Sequence, residues 1–211
     1  MELEKRFYTF KPNVEKREDG TGTMDGHPIV YDSPTDIGGY FQEVVVRGAL
    51  DGADMKDVPL LVNHNDRMIP VARSRRNNGN STMHLMIDDT GLRFDASLDI
   101  ARNATAAELY SAVERGDIDG MSFAFRVENE RWENLDSDYP TRFITRFSQI
   151  REISAVTYPA YNTTDINARS KDALDSARAA LDSERQQKAS GAVDTADIAK
   201  LKAQFEFNYK F

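Results

Sequence analysis

Between Gly120 and Val127 the apolar residues Met121, Phe123, Phe125 and Val127 all fall on one parity. That period of two is the mark of a half-buried β-strand, because successive side chains of a strand point to opposite faces. Leu92, Phe94, Ala96, Leu98 and Ile100 repeat the pattern. A chain built from such runs has to pair them into sheets. Further β-rich stretches are Thr23–Asp32, interrupted by Gly26 and Pro28, then Tyr40–Val46, and Val58–Asn65, which carries His64 to its end. Phe7, Tyr8 and Phe10 mark a short strand near the N-terminus. Val71–Arg76 and Thr82–Asp88 read as a hairpin across Asn77–Asn80, and Phe143–Phe147 and Ile150–Thr157 as the last two strands. Asp51–Asp57 reads as a short helix or turn, and Asn129–Arg142 as polar and turn-like.

One segment has the helical period instead. From Asn103 to Arg115, the residues Ala104, Ala107, Leu109, Tyr110 and Val113 supply an apolar face, and Gly116 ends it. Many short strands with one good helix predict a mainly β, α+β domain, an antiparallel barrel or sandwich with flanking helices. After Ala168 the composition turns to Ala, Asp, Ser and Arg. Leu174, Ala177 and Leu181 mark a weak helix there, Ala189–Gly191 a break, and Ile198, Leu201 and Phe205 a last helical segment. This tail reads as an accessory extension outside the core.

Composition narrows the chemistry. A net charge of -8 argues against a bare nucleic-acid binder, which needs clustered Lys and Arg against phosphate. No apolar run approaches the roughly 20 residues that span a bilayer, and Met1–Lys5 has no signal-peptide core, so no membrane partner is expected. The chain has no cysteine, which removes disulfides, thiolate metal sites and cysteine nucleophiles, and fits a cytosolic setting. It has three histidines, none in the i, i+4 pair of a zinc helix, so neither a metal nor another cofactor is expected. No Walker or Rossmann glycine pattern is present. Asn63-His64-Asn65 loosely resembles an HNH-type nuclease, but a second histidine and a basic surface are missing. Asp88-Asp89 and Asp117/Asp119 read as turn residues.

Ser122 lies opposite in parity to the apolar row, with Ala124, on a face where small side chains let a substrate backbone approach. It is a nucleophile or merely a small strand residue, depending on whether a base and an orienting group exist elsewhere. His64, at the end of an apolar strand, is a general base facing a cleft or a core histidine bonded to backbone. His27, between Gly26 and Pro28, sits on a bend, and His84 lies mid-strand. Glu152, flanked by Ile153 and Val156, needs a partner for its carboxylate, either an imidazolium from another strand or a surface salt bridge.

Six blocks in order carry a resemblance: GTMDGHPIVYDSPTD (22–36), FQEVVVRGAL (41–50), VPLLVNHN (58–65), DDTGLRFDASLD (88–99), GDIDGMSFAF (116–125) and REISAVTYPA (151–160). Together, across about residues 21–168, they resemble the prohead maturation proteases of tailed bacteriophages, distant kin of herpesvirus assemblins. The resemblance implies a serine endopeptidase on an assemblin-like β-barrel wrapped by helices. Such an enzyme works inside the immature shell in the host cytoplasm, cutting scaffold or major capsid protein and itself. It also implies three parts: an N-terminal arm with a short strand (1–20), the protease barrel (21–168), and a helical or flexible tail (169–211) that is a candidate for self-cleavage. By position, Ser122 matches the family's nucleophile and His64 its general base. In the herpesvirus branch the third member is a histidine following the serine; this chain has none there, and Glu152 is the substitute. Ala124 stands where relatives often carry glycine, and His27 where they have an aromatic or small residue.

The mechanism so implied is acyl transfer. His64 takes the Ser122 proton, Glu152 holds the other ring nitrogen, and backbone N–H groups supply the oxyanion hole. Assemblins act as dimers, so a homodimer is the expectation by analogy. The rival readings are a non-catalytic procapsid scaffold or assembly factor on the same barrel, and an unrelated β-barrel binding module.

Overall fold

A computed structural model describes residues 3–8, 12–157 and 175–190. Among these residues the chain is mainly β with two helices beside the sheets, an α+β fold. Its strands are β1 (Glu4–Tyr8), β2 (Asn13–Lys16), β3 (Gly22–Val30), β4 (Thr35–Ile37), β5 (Phe41–Val45) and β6 (Val58–Val62). They continue as β7 (Ala72–Ser74), β8 (Met83–Ile87), β9 (Gly91–Leu98), β10 (Gly120–Glu133) and β11 (Thr141–Val156), with α1 (Ala104–Arg115) between β9 and β10. The second helix, α2, spans 175–190.

β11 is the axis of the larger, seven-stranded sheet. On one side it pairs antiparallel with β10 along its length. Its other side is shared end to end: β5 pairs with Thr141–Ile144 and β6 with Ile153–Ala155, both parallel. β1 edges β10, β4 edges β5 and β7 edges β6. The smaller sheet runs β2-β3-β9-β8, all antiparallel. Neither sheet closes on itself among the described residues, so the expected barrel is open, and the two parallel pairings depart from an all-antiparallel order.

The sheets share one core. Phe123, Phe125 and Phe147 stack with centroids 4.9–6.2 Å apart, and Met24, Leu92, Phe94 and Leu98 close over from the smaller sheet. The parity read along β10 and β9 is therefore the core-facing row. α1 begins and ends as its caps dictate: the Asn103 side chain accepts from the Thr105 and Ala106 N–H groups, and Gly116 turns left-handed at φ 81°. Leu109, Tyr110 and Val113 then seal the core.

Several local expectations change, and the choice left open at 51–57 is decided. β7 and β8 form no hairpin ladder; β7 joins the larger sheet and β8 the smaller, through the Asp88–Thr90 turn to β9. Pro28 interrupts β3 only as a register shift between Gly26 and Ile29, where its missing N–H costs no ladder bond. The segment 51–57 is a turn, held by an isolated bridge between Asp54 and Gln149. The two last strands are one, β11, and much of the polar Asn129–Arg142 stretch belongs to the extended β10–β11 hairpin, with bulges near Ala124 and Val127. Of the tail, α2 buries Ala177 and Leu181 against Ile37 and Phe41, with Trp132 and Leu135 beside them. Its Arg185 donates to the carbonyls of Leu135 and Ser137. Leu174, Phe10 and the segment with Ile198, Leu201 and Phe205 lie outside the described residues.

Candidate active site

Ser122 and Glu152 come from the paired strands β10 and β11, and His64 from the turn that follows β6, which pairs with the other side of β11. Ser122 on β10 faces Ser154 on β11, and Glu152 lies two residues earlier on β11, opposite Ala124. Parity puts Ser122, Ala124, Glu152 and Ser154 on one face of the sheet. β6, parallel to β11, ends at Val62 opposite Ala155 and delivers the next two residues over that face.

His64 does not continue the β6 alternation. Asn63 and His64 both take left-handed backbone, at φ 52° and 55°. For non-glycine residues this conformation costs on the order of 1–2 kcal/mol each. Local bonds offset it: the Asn63 N–H reaches the Ala155 carbonyl at 2.9 Å, and the Asn63 side chain pairs with Thr157, whose N–H donates to Oδ1 at 3.0 Å. The turn re-aims the imidazole from strand parity down onto Ser122.

The resulting chain of bonds is continuous. Ser122 Oγ lies 2.6 Å from His64 Nε2. His64 Nδ1 bonds Glu152 Oε1, and Glu152 Oε2 accepts from Ser154 Oγ at 2.6 Å. The same Ser154 Oγ accepts the His64 backbone N–H at 3.2 Å, so one hydroxyl fixes both the carboxylate and the histidine main chain. Ser154 was not among the residues singled out from the sequence. Its signal is the parity it shares with Glu152, legible only once the carboxylate has a role.

Ser122 is fully buried, and Glu152 is 6 % exposed. Beside them opens a cleft of about 260 Å³ bordered by His64, Glu152, Ala124 and the basic side chains Lys5, Arg73 and Arg151. The hydroxyl also meets β1: Ser122 Oγ donates to the Arg6 carbonyl at 2.6 Å.

The other two histidines are elsewhere in the fold. His27 Nε2 pairs with Asp88 at 2.8 Å in the smaller sheet, and the bond from His27 lowers the Asp88 carboxyl below its usual range. His84 is exposed on β8. No group of three or more His, Asp or Glu placed to hold a metal occurs among the described residues, and no helix among them is long and apolar enough to cross a membrane.

A comparison with known families matches residues 10–177 to the caudovirus prohead serine protease. The chain belongs to this family. No curated protein and no solved structure gave a match. Membership makes the chain a serine protease of the class that acts in capsid maturation. The matched span contains all of β2 to β11, and so all three residues of the bonded chain; β1 precedes it.

Proposed function

We propose that this prohead protease is a serine endopeptidase whose nucleophile is Ser122, whose general base is His64 and whose orienting acid is Glu152. The observation that carries the reading is the unbroken bonding from Ser122 Oγ through His64 to Glu152. With Nδ1–H given to the carboxylate, Nε2 is left as the acceptor, which is the tautomer a base needs to take a serine proton. Attack of Oγ on a peptide carbonyl moves that proton to Nε2, and the resulting imidazolium faces the Glu152 carboxylate. The imidazolium then protonates the leaving amine, and water repeats the cycle on the acyl-enzyme.

The substrates of this reading are the major capsid protein or its scaffold region, and the chain's own tail, within the procapsid in the host cytoplasm. Residues 21–168 form the protease unit, 1–20 an arm and 169–211 a removable tail; a homodimer follows the assemblin analogy. Co-expression with the capsid protein tests this. Ser122→Ala and His64→Ala each abolish the shortened capsid protein and the trimmed enzyme, with losses on the order of 10³-fold or more. Persistence of both products in both variants removes the assignment, and a scaffold role on the same fold takes its place.

A further inference from the structure

β1 occupies the edge of the strand that carries Ser122. It is the edge strand of the larger sheet, antiparallel to β10, with Phe7 opposite Ser122, Arg6 opposite Phe123 and Lys5 opposite Ala124. It leaves Ser122 with no exposed surface. A serine hydroxyl has one proton, and when the Arg6 carbonyl accepts it His64 does not. The contact is through the carbonyl oxygen, which in acyl transfer belongs to separate oxyanion donors. β1 therefore obstructs the nucleophile instead of presenting a bond to it.

The side chains of β1 enter a buried charge cluster. Arg6 Nε reaches both Glu43 oxygens, at 2.8 and 3.0 Å, and Glu4 accepts from Arg142 at 2.6 and 2.8 Å. Arg142 also bonds Glu43 at 3.1 Å and pairs with Glu130. Arg6 and Glu43 are fully buried and Arg142 is 1 % exposed. Take β1 away and, among the described residues bonded in this cluster, the floor keeps Arg142 as the cation and Glu43 and Glu130 as the carboxylates. That floor suits a strand with an acidic residue for Arg142 and, two positions later on the same face, a basic residue for Glu43.

We propose that the edge of β10 held by β1 is the peptide-binding site, that β1 is its resident occupant, and that Glu43 and Arg142 select extended peptides of acidic-x-basic pattern. The proposal rests on Ser122 being the nucleophile. A substrate then adds to the sheet as a strand, its main chain pairing with β10 and alternate side chains read by the cluster. Because β1 is tethered, it competes at the millimolar effective concentration typical of short linkers, and a free peptide cuts in only when it is abundant or when β1 is undocked.

The test uses the full chain and a fluorophosphonate, with labelling of Ser122 read by intact mass and peptide mapping. The chain has no cysteine, so a Lys5→Cys/Ala124→Cys double variant can form a single cross-link between register partners. Oxidised, it should label at least about tenfold more slowly than when reduced, because β1 is locked. Arg6→Ala should label on the order of tenfold faster than wild type, since a buried charge-assisted bond holding β1 is lost. A synthetic peptide of Leu3–Tyr8 should slow labelling of Arg6→Ala, and the same peptide with glutamate in place of arginine should not. Equal labelling of the oxidised and reduced double variant, or equal competition by the two peptides, overturns the proposal while leaving the nucleophile in place. If no folded form labels at Ser122, the nucleophile assignment falls, and this proposal with it.

Discussion

Replacing Glu152 by glutamine changes one atom and reverses the logic of the imidazole. Both carboxylate oxygens are engaged as acceptors, Oε1 by His64 Nδ1 and Oε2 by Ser154 Oγ. A glutamine has one acceptor and one NH₂. If its oxygen keeps the Ser154 bond, the NH₂ faces Nδ1, and the proton must move to Nε2, where it blocks the uptake of the Ser122 proton. If the amide turns over, Ser154 Oγ must accept from it in addition to the His64 N–H, and its own proton loses its partner in a buried site. In either arrangement the imidazolium formed during attack no longer faces a negative charge. The analogous change in a Ser-His-Asp triad lowers kcat about 10⁴-fold, so Glu152→Gln should cost about 10³- to 10⁴-fold, or about 4–5 kcal/mol of barrier. The assay is the rate of capsid-protein cleavage in co-expression lysates, with circular dichroism and a thermal melt to establish equal folding. A folded Glu152→Gln that retains activity within about threefold of wild type would falsify the role given to the carboxylate.

Two further outcomes concern stability. Burial would raise the Glu4 carboxyl, but the charge of Arg6 and the bonds from Arg142 overrule it and hold it at about 2, against an ordinary 4.5. A depressed carboxyl contributes stability above its unfolded value and loses it as pH falls through the folded one. Docking of β1 should therefore weaken by about 3 kcal/mol in total as pH drops from above 4.5 to below 2. Amide exchange of the β1–β10 ladder at stepped pH measures this; an equally steep loss in Glu4→Gln would assign the effect to other groups. Gly91 has φ +154°, and a Cβ there would lie 2.0 Å from the Ile29 carbonyl oxygen, so Gly91→Ala should cost about 2–4 kcal/mol in urea unfolding. Gly20→Ala, at φ +81° with no atom within 4 Å of the added carbon, should cost about 1 kcal/mol. Equal losses would mean that strain alone, and not the clash with β3, accounts for both.

What the sequence by itself determined is local. The helix α1 was legible because Asn103 and Gly116 act on their own neighbours, and the core row of β10 because strand parity needs no partner to be seen. Six short blocks in order, carrying Ser122, His64 and Glu152, likewise sufficed to indicate the family. Pairing was not legible in the same way. The turn residues between β7 and β8 predict a hairpin, yet β7 pairs back onto β6 and β8 forward onto β9, in different sheets. The polar Ser148–Gln149 step reads as a break between two strands, and only the long ladder with β10 makes β11 continuous.

The site divides along the same line. The sequence leaves His64 between a cleft and the core at the end of β6; the left-handed turn at Asn63 and His64 aims the ring, and bonds to Ala155 and Thr157 hold that turn. Ser154 acquires its place only when β6, β10 and β11 lie side by side. The covering of Ser122 by β1 depends on a pairing between residues more than a hundred positions apart, fastened by charges from β1, β5, β10 and β11. Residue types and short-range order determine which groups are available for chemistry. Only the tertiary structure decides which of them meet, because strand pairing and burial are set by partners distant along the chain.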